Sequence, residues 1–261
     1  MLKPVFGEHG SLQSLYLDDQ QIIRPWGIET ADARAFFSLE TGGWGNQILV
    51  REMTYSDTRL DGLVTVRMSE GLWAATLVDI VSGRSIERQL RYLALEDTWA
   101  MDVVMRFVFP RFVVHQAEIA DQQIAWDGTN YYHQYATNQV LLYLNKYKLR
   151  IRLTDSYYPS DWRLYMYVRC FLREDAWIVH IRLLPAIWKR EVIKHRCIGS
   201  HYIVFPELLS RQVLKIPGVA RHLRYAGERN RLLGSRVNVY PLVLIPQGAV
   251  ITLQARLDIL L

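Results

Sequence analysis

A chain of 261 residues that is half apolar can build a substantial core, and its 15 tyrosines and 8 tryptophans against 15 glycines exclude a disordered or low-complexity polypeptide. The net charge of +5 comes from 31 basic residues interspersed with 26 acidic ones, which excludes the Lys/Arg block of a nucleic-acid tail. Two cysteines, Cys170 and Cys197, exclude a disulfide framework, and no stretch approaches the roughly 18 apolar residues of a spanning helix.

The first ten residues lack the apolar run of a secretion signal, so a cytoplasmic location is expected. Residues 31–39 are a weak helix candidate. Gly42-Gly43-Trp44-Gly45-Asn46 reads as a turn, with Trp44 suited to a pocket mouth. It lacks the Lys-Ser/Thr of a phosphate-binding loop. Strict alternation begins at residues 63–68, where Val64, Val66 and Met68 oppose Thr65 and Arg67. In residues 101–109, Met101, Val103, Met105, Phe107 and Phe109 share one face, and Asp102, Val104, Arg106 and Val108 the other.

Trp126-Asp127-Gly128 then offers a turn before an aromatic segment, Tyr131-Tyr132-His133-Gln134-Tyr135. His133 is a candidate general acid or base, Asp127 its orienting carboxylate, and Trp126 and Tyr131 candidate ligand contacts. Aromatic packing around a satisfied histidine is the plain structural alternative. Residues 140–144 are apolar. Leu149, Ile151 and Leu153 alternate with Arg150 and Arg152. Leu164, Met166 and Val168 alternate with Arg163, Tyr165, Tyr167 and Arg169, and Trp177, Val179 and Ile181 with His180 and Arg182. Asp155-Ser156, Tyr158-Pro159-Ser160-Asp161 and Glu174-Asp175 supply turns, so the region reads as a meander of hairpins in which consecutive strands pair.

His195, Cys197 and His201 have metal-ligating side chains, but their spacing matches no zinc template and no metal site is expected. Residues 206–214 suit one short helix with Pro206 in its first turn. Arg221-His222-Leu223-Arg224, with Arg229 and Arg231, forms a basic patch that reads as a solvated loop or rim. Pro246-Gln247-Gly248 is a turn, and a last strand places Ala249, Ile251, Leu253, Ala255 and Leu257 on one face. The whole reads as one all-β domain over residues 1–261, a two-sheet antiparallel sandwich with little helix.

The plan resembles the galactose mutarotase-like β-supersandwich. Gly10-Ser11-Leu12-Gln13-Ser14-Leu15-Tyr16-Leu17, Asp18-Asp19 and Gln21-Ile22-Ile23 look like that group's first hairpin. The ending Tyr240-Pro241-Leu242-Val243-Leu244-Ile245-Pro246-Gln247-Gly248 and its final strand look like the closing turn and strand. The resemblance implies a sugar ligand and an acid–base pair of histidine and glutamate. His133 lies in the segment most like the family's histidine, and Glu207, in Phe205-Pro206-Glu207-Leu208, is most like its late glutamate.

The residues themselves single out one further feature. If the meander pairs, Arg150, Arg152, Arg163, Tyr165, Tyr167, Arg169, His180 and Arg182 share a sheet face. Arginine forks and tyrosines suit an anionic or hydroxylated ligand, with His180 as acid or base. A solvated or covered sheet face is the alternative. The expected function is a carbohydrate-active or related small-molecule enzyme of isomerase, lyase or cyclase type, without cofactor. A cyclase folding a polyketide or terpenoid chain in an apolar-aromatic cavity, and a non-catalytic glycan-binding or assembly module, are the other readings. A small-molecule or carbohydrate partner is expected rather than nucleic acid or membrane, and a homo-oligomer is left open.

Overall fold

The computed structural model describes residues 2–7, 11–32, 34–128, 133–185, 203–206, 223–229 and 236–261. The first part of the chain forms β1 (Leu2–Phe6), β2 (Leu12–Leu17), β3 (Gln20–Ala31), β4 (Phe36–Ser38), β5 (Gln47–Tyr55), β6 (Arg59–Met68), β7 (Gly71–Ser82) and β8 (Ser85–Ala94). The middle forms β9 (Thr98–Ala100), β10 (Asp102–Pro110), β11 (Gln116–Ile119), β12 (Gln122–Ala125), β13 (His133–Tyr135), β14 (Gln139–Tyr143), β15 (Lys148–Tyr157), β16 (Trp162–Phe171) and β17 (Ala176–Pro185). The last part forms β18 (Ile203–Pro206), β19 (Leu223–Arg229), β20 (Arg236–Pro241), β21 (Val243–Ile245) and β22 (Val250–Leu260). A 3-10 turn at Leu172–Glu174 is the helical element among the described residues, and it is far too short to cross a membrane.

Two antiparallel sheets carry the molecule. An eight-stranded sheet runs β1-β2-β3-β10-β17-β16-β13, with β4 branching from β3. A nine-stranded sheet runs β12-β11-β14-β15-β22-β8-β7-β6-β5. The expected β-sandwich is thus present, and alternation explains it. Val64, Val66 and Met68 of β6 are buried, as are Ile251, Leu253, Ala255 and Leu257 of β22. Each fully buried aliphatic or aromatic side chain of this kind contributes about 1.5–3 kcal/mol. The core between the sheets is contiguous, and its rings interlock across the layers: Phe37 of the eight-stranded sheet meets Trp73 of the nine-stranded one edge-on at 5.1 Å.

The first hairpin closes through Asp18 and Asp19, whose φ values of 48° and 66° match the primed turns favoured between twisted strands. The Pro246-Gln247-Gly248 turn before β22 is likewise present, with Ala249 N–H donating to Pro246 O at 3.0 Å.

Four local expectations are corrected. Residues 31–39 are not helical: Phe36–Ser38 pairs with the end of β3, and Asp32 closes the turn between them. Its buried carboxylate accepts from the Arg34 and Ala35 N–H groups, Ser69 Oγ and the Glu70 N–H, at 2.6–2.9 Å. Pro206 ends β18 rather than opening a helix, and residues 207–214 lie outside the described residues. Asp155-Ser156 is no turn but continues β15 in its pairing with β22, just past a register shift between Leu153 and Asp155.

The fourth correction concerns the meander. β14 pairs with β15, and β16 with β17, but β15 and β16 belong to different sheets. β15 lies between β14 and β22, and the Tyr158-Pro159-Ser160-Asp161 segment carries the chain to the other layer. Both sheets bury one face against the same core, so alternation reports which side of a strand faces inward, not which sheet it joins.

Candidate active site

At β10 the eight-stranded sheet is buried on both faces. In β10, Met105, Phe107 and Phe109 point into the inter-sheet core, while Val104, Arg106 and Val108 are equally buried on the opposite side. That second face is polar. Register places Tyr167 of β16 opposite His180 of β17, and His180 opposite Arg106 of β10, which in turn faces Gly27 of β3. One step along, Tyr165, Arg182, Val104 and Glu29 form a second row. Two-residue periodicity therefore assembles a charged layer from four strands distant in sequence.

Arg106 lies at its centre. Its Nε is 3.4 Å from Glu29 Oε1, its Nη1 is 3.6 Å from Glu40 Oε1, and its Nη2 is 3.4 Å from Glu174 Oε2. Glu40 reaches in from the turn after β4, with Ser38 Oγ donating to its Oε2 at 2.8 Å. Arg182 forks onto Asp102, with Nε at 2.9 Å and Nη2 at 2.7 Å from Oδ2. His180 Nε2 stands 3.7 Å from Glu29 Oε2, beyond hydrogen-bond range, and its ring lies 4.4 Å from that of Tyr167.

Burial drives the two facing groups in opposite directions. It raises the Glu29 carboxyl to about 7; Arg106 works against that rise, and Glu40 and Asp102 add to it. It holds the His180 imidazole well below its ordinary value, with Arg106, Arg169 and Arg182 adding to the effect. Glu40 is also raised by burial, against the pull of Arg106. His180 Nε2 and Glu40 Oε1 are buried without a hydrogen-bond partner among the described residues. Structural polar networks satisfy such atoms, because each orphan costs about 1–3 kcal/mol.

The sequence-derived candidates fall into separate groups. Tyr165, Tyr167, Arg169, His180 and Arg182 do share this face, and Arg163 lies at its exposed end, donating to Ser160 O. Arg169 stacks over Phe171 at 4.6 Å. Arg150 and Arg152 do not belong here: they project from the outer side of the nine-stranded sheet. Arg150 there contacts Asp258 at 3.0 Å in a ladder with Arg256 and Glu87, and Arg152 lies opposite Gln139 and Arg256.

His133 pairs with Val168, whose neighbours on that side face the core, so it lies on the sheet side opposite His180. Burial lowers its imidazole, while the charge of Asp127 opposes this. Asp127 also approaches Cys170, whose thiol burial pushes up to about 11. Trp126 packs edge-on against Trp177 at 5.4 Å under the Arg111 guanidinium. Tyr131, Glu207, His195, Cys197 and His201 lie outside the described residues. Among the described residues no cluster of three or more His, Cys, Asp or Glu is arranged to hold a metal.

The carboxylates were the missing signal. Glu29 sits in a mostly apolar strand and Glu40 in a turn, and neither shows a motif. Their pairing with His180 depends on β3, β10 and β17 being neighbours, which alternation alone cannot supply.

No family model matches the chain, and no curated protein matches it in sequence. Solved structures do match in fold. An Escherichia coli K12 protein provisionally named an aldose 1-epimerase aligns over 99% of this chain and 95% of its own, at 9% identity and a TM-score of 0.53. A galactose mutarotase related enzyme from Lactobacillus acidophilus aligns over 99% and 94%, also at 9% identity and 0.53. The architecture is therefore the galactose mutarotase-like β-sandwich that the opening hairpin and closing turn resemble.

Proposed function

We propose that the protein is a carbohydrate isomerase that interconverts the anomers of an aldose by proton transfer between substrate, Glu29 and His180. The observation that carries this reading is the 3.7 Å approach of His180 Nε2 to Glu29 Oε2 on the buried polar face. The mutarotase-like architecture and the names of the similar structures support a sugar as substrate.

Anomer exchange opens a cyclic hemiacetal. An acid protonates the ring oxygen as the bond to the anomeric carbon breaks, and a base removes the proton of the anomeric hydroxyl. Glu29, carrying a proton near neutral pH, suits the acid; the neutral imidazole of His180 suits the base. Rotation about the first carbon–carbon bond and ring closure then return both protons. Arg106 steadies Glu29, and Asp102 fixes Arg182.

The guanidiniums of Arg106 and Arg182 are matched by carboxylates, which favours a hydroxylated ligand over an anionic one. The same charged face supports proton transfer over a cyclase, which needs an apolar wall.

Exchange spectroscopy on a panel of neutral aldoses and uronic acids tests the reading. The wild type is expected to accelerate interconversion of a neutral aldose, and Glu29→Gln and His180→Asn to reduce that rate by about 10²-fold or more. Unchanged rates in both variants would contradict it.

A further inference from the structure

We infer that Glu29 and Glu40 hold a single proton between them over the Arg106 guanidinium, so that the site presents one carboxylic acid and one carboxylate. Three geometric facts carry this. First, Arg106 meets Glu29 Oε1 at 3.4 Å and Glu40 Oε1 at 3.6 Å, so one buried cation faces two carboxyls whose side chains are only 14% and 5% exposed. Asp102 is already matched by Arg182, and Glu174, the third group on Arg106, is 42% exposed and solvated. Two buried carboxylates against one guanidinium leave an uncompensated charge, which a proton removes at least cost.

Second, Glu40 is held in place by construction. A Cβ on Gly27 would lie 2.9 Å from Glu40 Cδ and 3.0 Å from Leu39 Cβ, so the missing side chain makes the room in which the carboxyl lies. Third, among the described residues Glu40 Oε1 accepts no hydrogen bond, whereas Oε2 accepts from Ser38.

The other charged or titratable groups of this face do not remove the excess. β3 adds Arg24, which donates to the Glu174 carbonyl; β10 adds Asp102; β16 adds Tyr165, Tyr167 and Arg169; β17 adds His180 and Arg182; and the 3-10 turn adds Glu174. His180 is held neutral by burial and contributes no positive charge. Arg169 is stacked on Phe171 and acts on Glu29 through space, where its effect is smaller than that of Glu40, and Arg88 of β8, which acts on Glu40 more weakly than Arg106, is already matched by Asp79.

The inference rests on Glu29 being the acid of the proposed reaction, but its test needs no substrate. Infrared titration of protein with isotope-labelled glutamate counts protonated buried carboxyls directly. One is expected at pH 6; none, or two, would overturn the pair. In Glu40→Gln the remaining Glu29 pairs alone with Arg106, and its titration midpoint is expected to fall by about 1–3 pH units. Glu29→Gln is expected to lower Glu40 likewise. Should these variants fail to fold, Ser38→Ala removes a hydrogen bond to the Glu40 carboxylate and is expected to raise the shared midpoint. A Glu29 midpoint unmoved in Glu40→Gln, or a midpoint unmoved in Ser38→Ala, would overturn sharing while leaving anomer exchange by Glu29 and His180 standing. The expected titrations in a protein that turns over no sugar would uphold the pair and remove the proposed reaction.

Discussion

At the scale of single residues, the buried polar face couples protonation to stability. Glu29 rises on folding from about 4.5 to about 7, so between those values the folded state binds more protons than the unfolded one. Its contribution is intact below pH 4.5 and is lost as pH rises through 7, a change on the order of 3 kcal/mol. His180, depressed well below 6.5, acts in the other direction: the unfolded imidazole takes up a proton below pH 6.5 and the folded one does not. Acid therefore also weakens the fold. Melting curves from pH 5 to pH 8 should show that Glu29→Gln abolishes most of the alkaline decline; an equal decline in variant and wild type would disprove the assignment to Glu29. Alternation in residues 177–184 makes His180 legible, because it faces away from Trp177, Val179 and Ile181. Glu29 is not legible: Gly27-Ile28-Glu29-Thr30 has no polar periodicity, and its meaning appears when β10 lies between β3 and β17.

At the scale of elements, a second buried ion pair ties the layers together. Arg88 of β8 forks onto Asp79 of β7 at 2.7 and 2.6 Å, with both side chains essentially inaccessible. Its guanidinium also lies 4.7 Å above the Trp26 ring and donates to Gly27 O at 3.3 Å, both in β3. The pair thus fastens the nine-stranded sheet beneath the strand that carries Glu29. Removing one partner strands the other, so Asp79→Ala should destabilise by about 3–5 kcal/mol in denaturant unfolding. The double replacement Arg88→Met with Asp79→Leu should recover most of that loss; a double variant as unstable as the single one would show that the cation–π and Gly27 contacts dominate. Here the sequence is informative about strands and poor about helices and turns. Residues 63–68, 102–109 and 177–184 form strands with the expected faces inward, while Met101 precedes β10 and packs with Ala31 and Leu242 instead of the inter-sheet core. The weak helix pattern at 31–39 gives way because Asp32 turns the chain and β3 offers Phe36–Ser38 a free edge.

At the scale of the whole molecule, two large sheets and one core follow from a chain whose strands nearly all carry an apolar face. Which strand joins which sheet does not follow, because the pattern is the same on either side of the core. That ambiguity separates Arg150 and Arg152 from the arginines of β16 and β17, and it divides one expected ligand face into two. The charges of Arg150, Asp258, Arg256 and Glu87 pair with one another in a ladder on the outer side of the nine-stranded sheet, whereas the other face sets His180 Nε2 3.7 Å from Glu29 Oε2. The proposed reaction is placed at the second. A crystal structure with a turned-over aldose bound tests this most directly. The account predicts a sugar ring oxygen and anomeric hydroxyl within about 3 Å of the Glu29 carboxyl and His180 Nε2; a sugar seated instead beside His133 and Asp127, or on the outer face at Arg150, would contradict it.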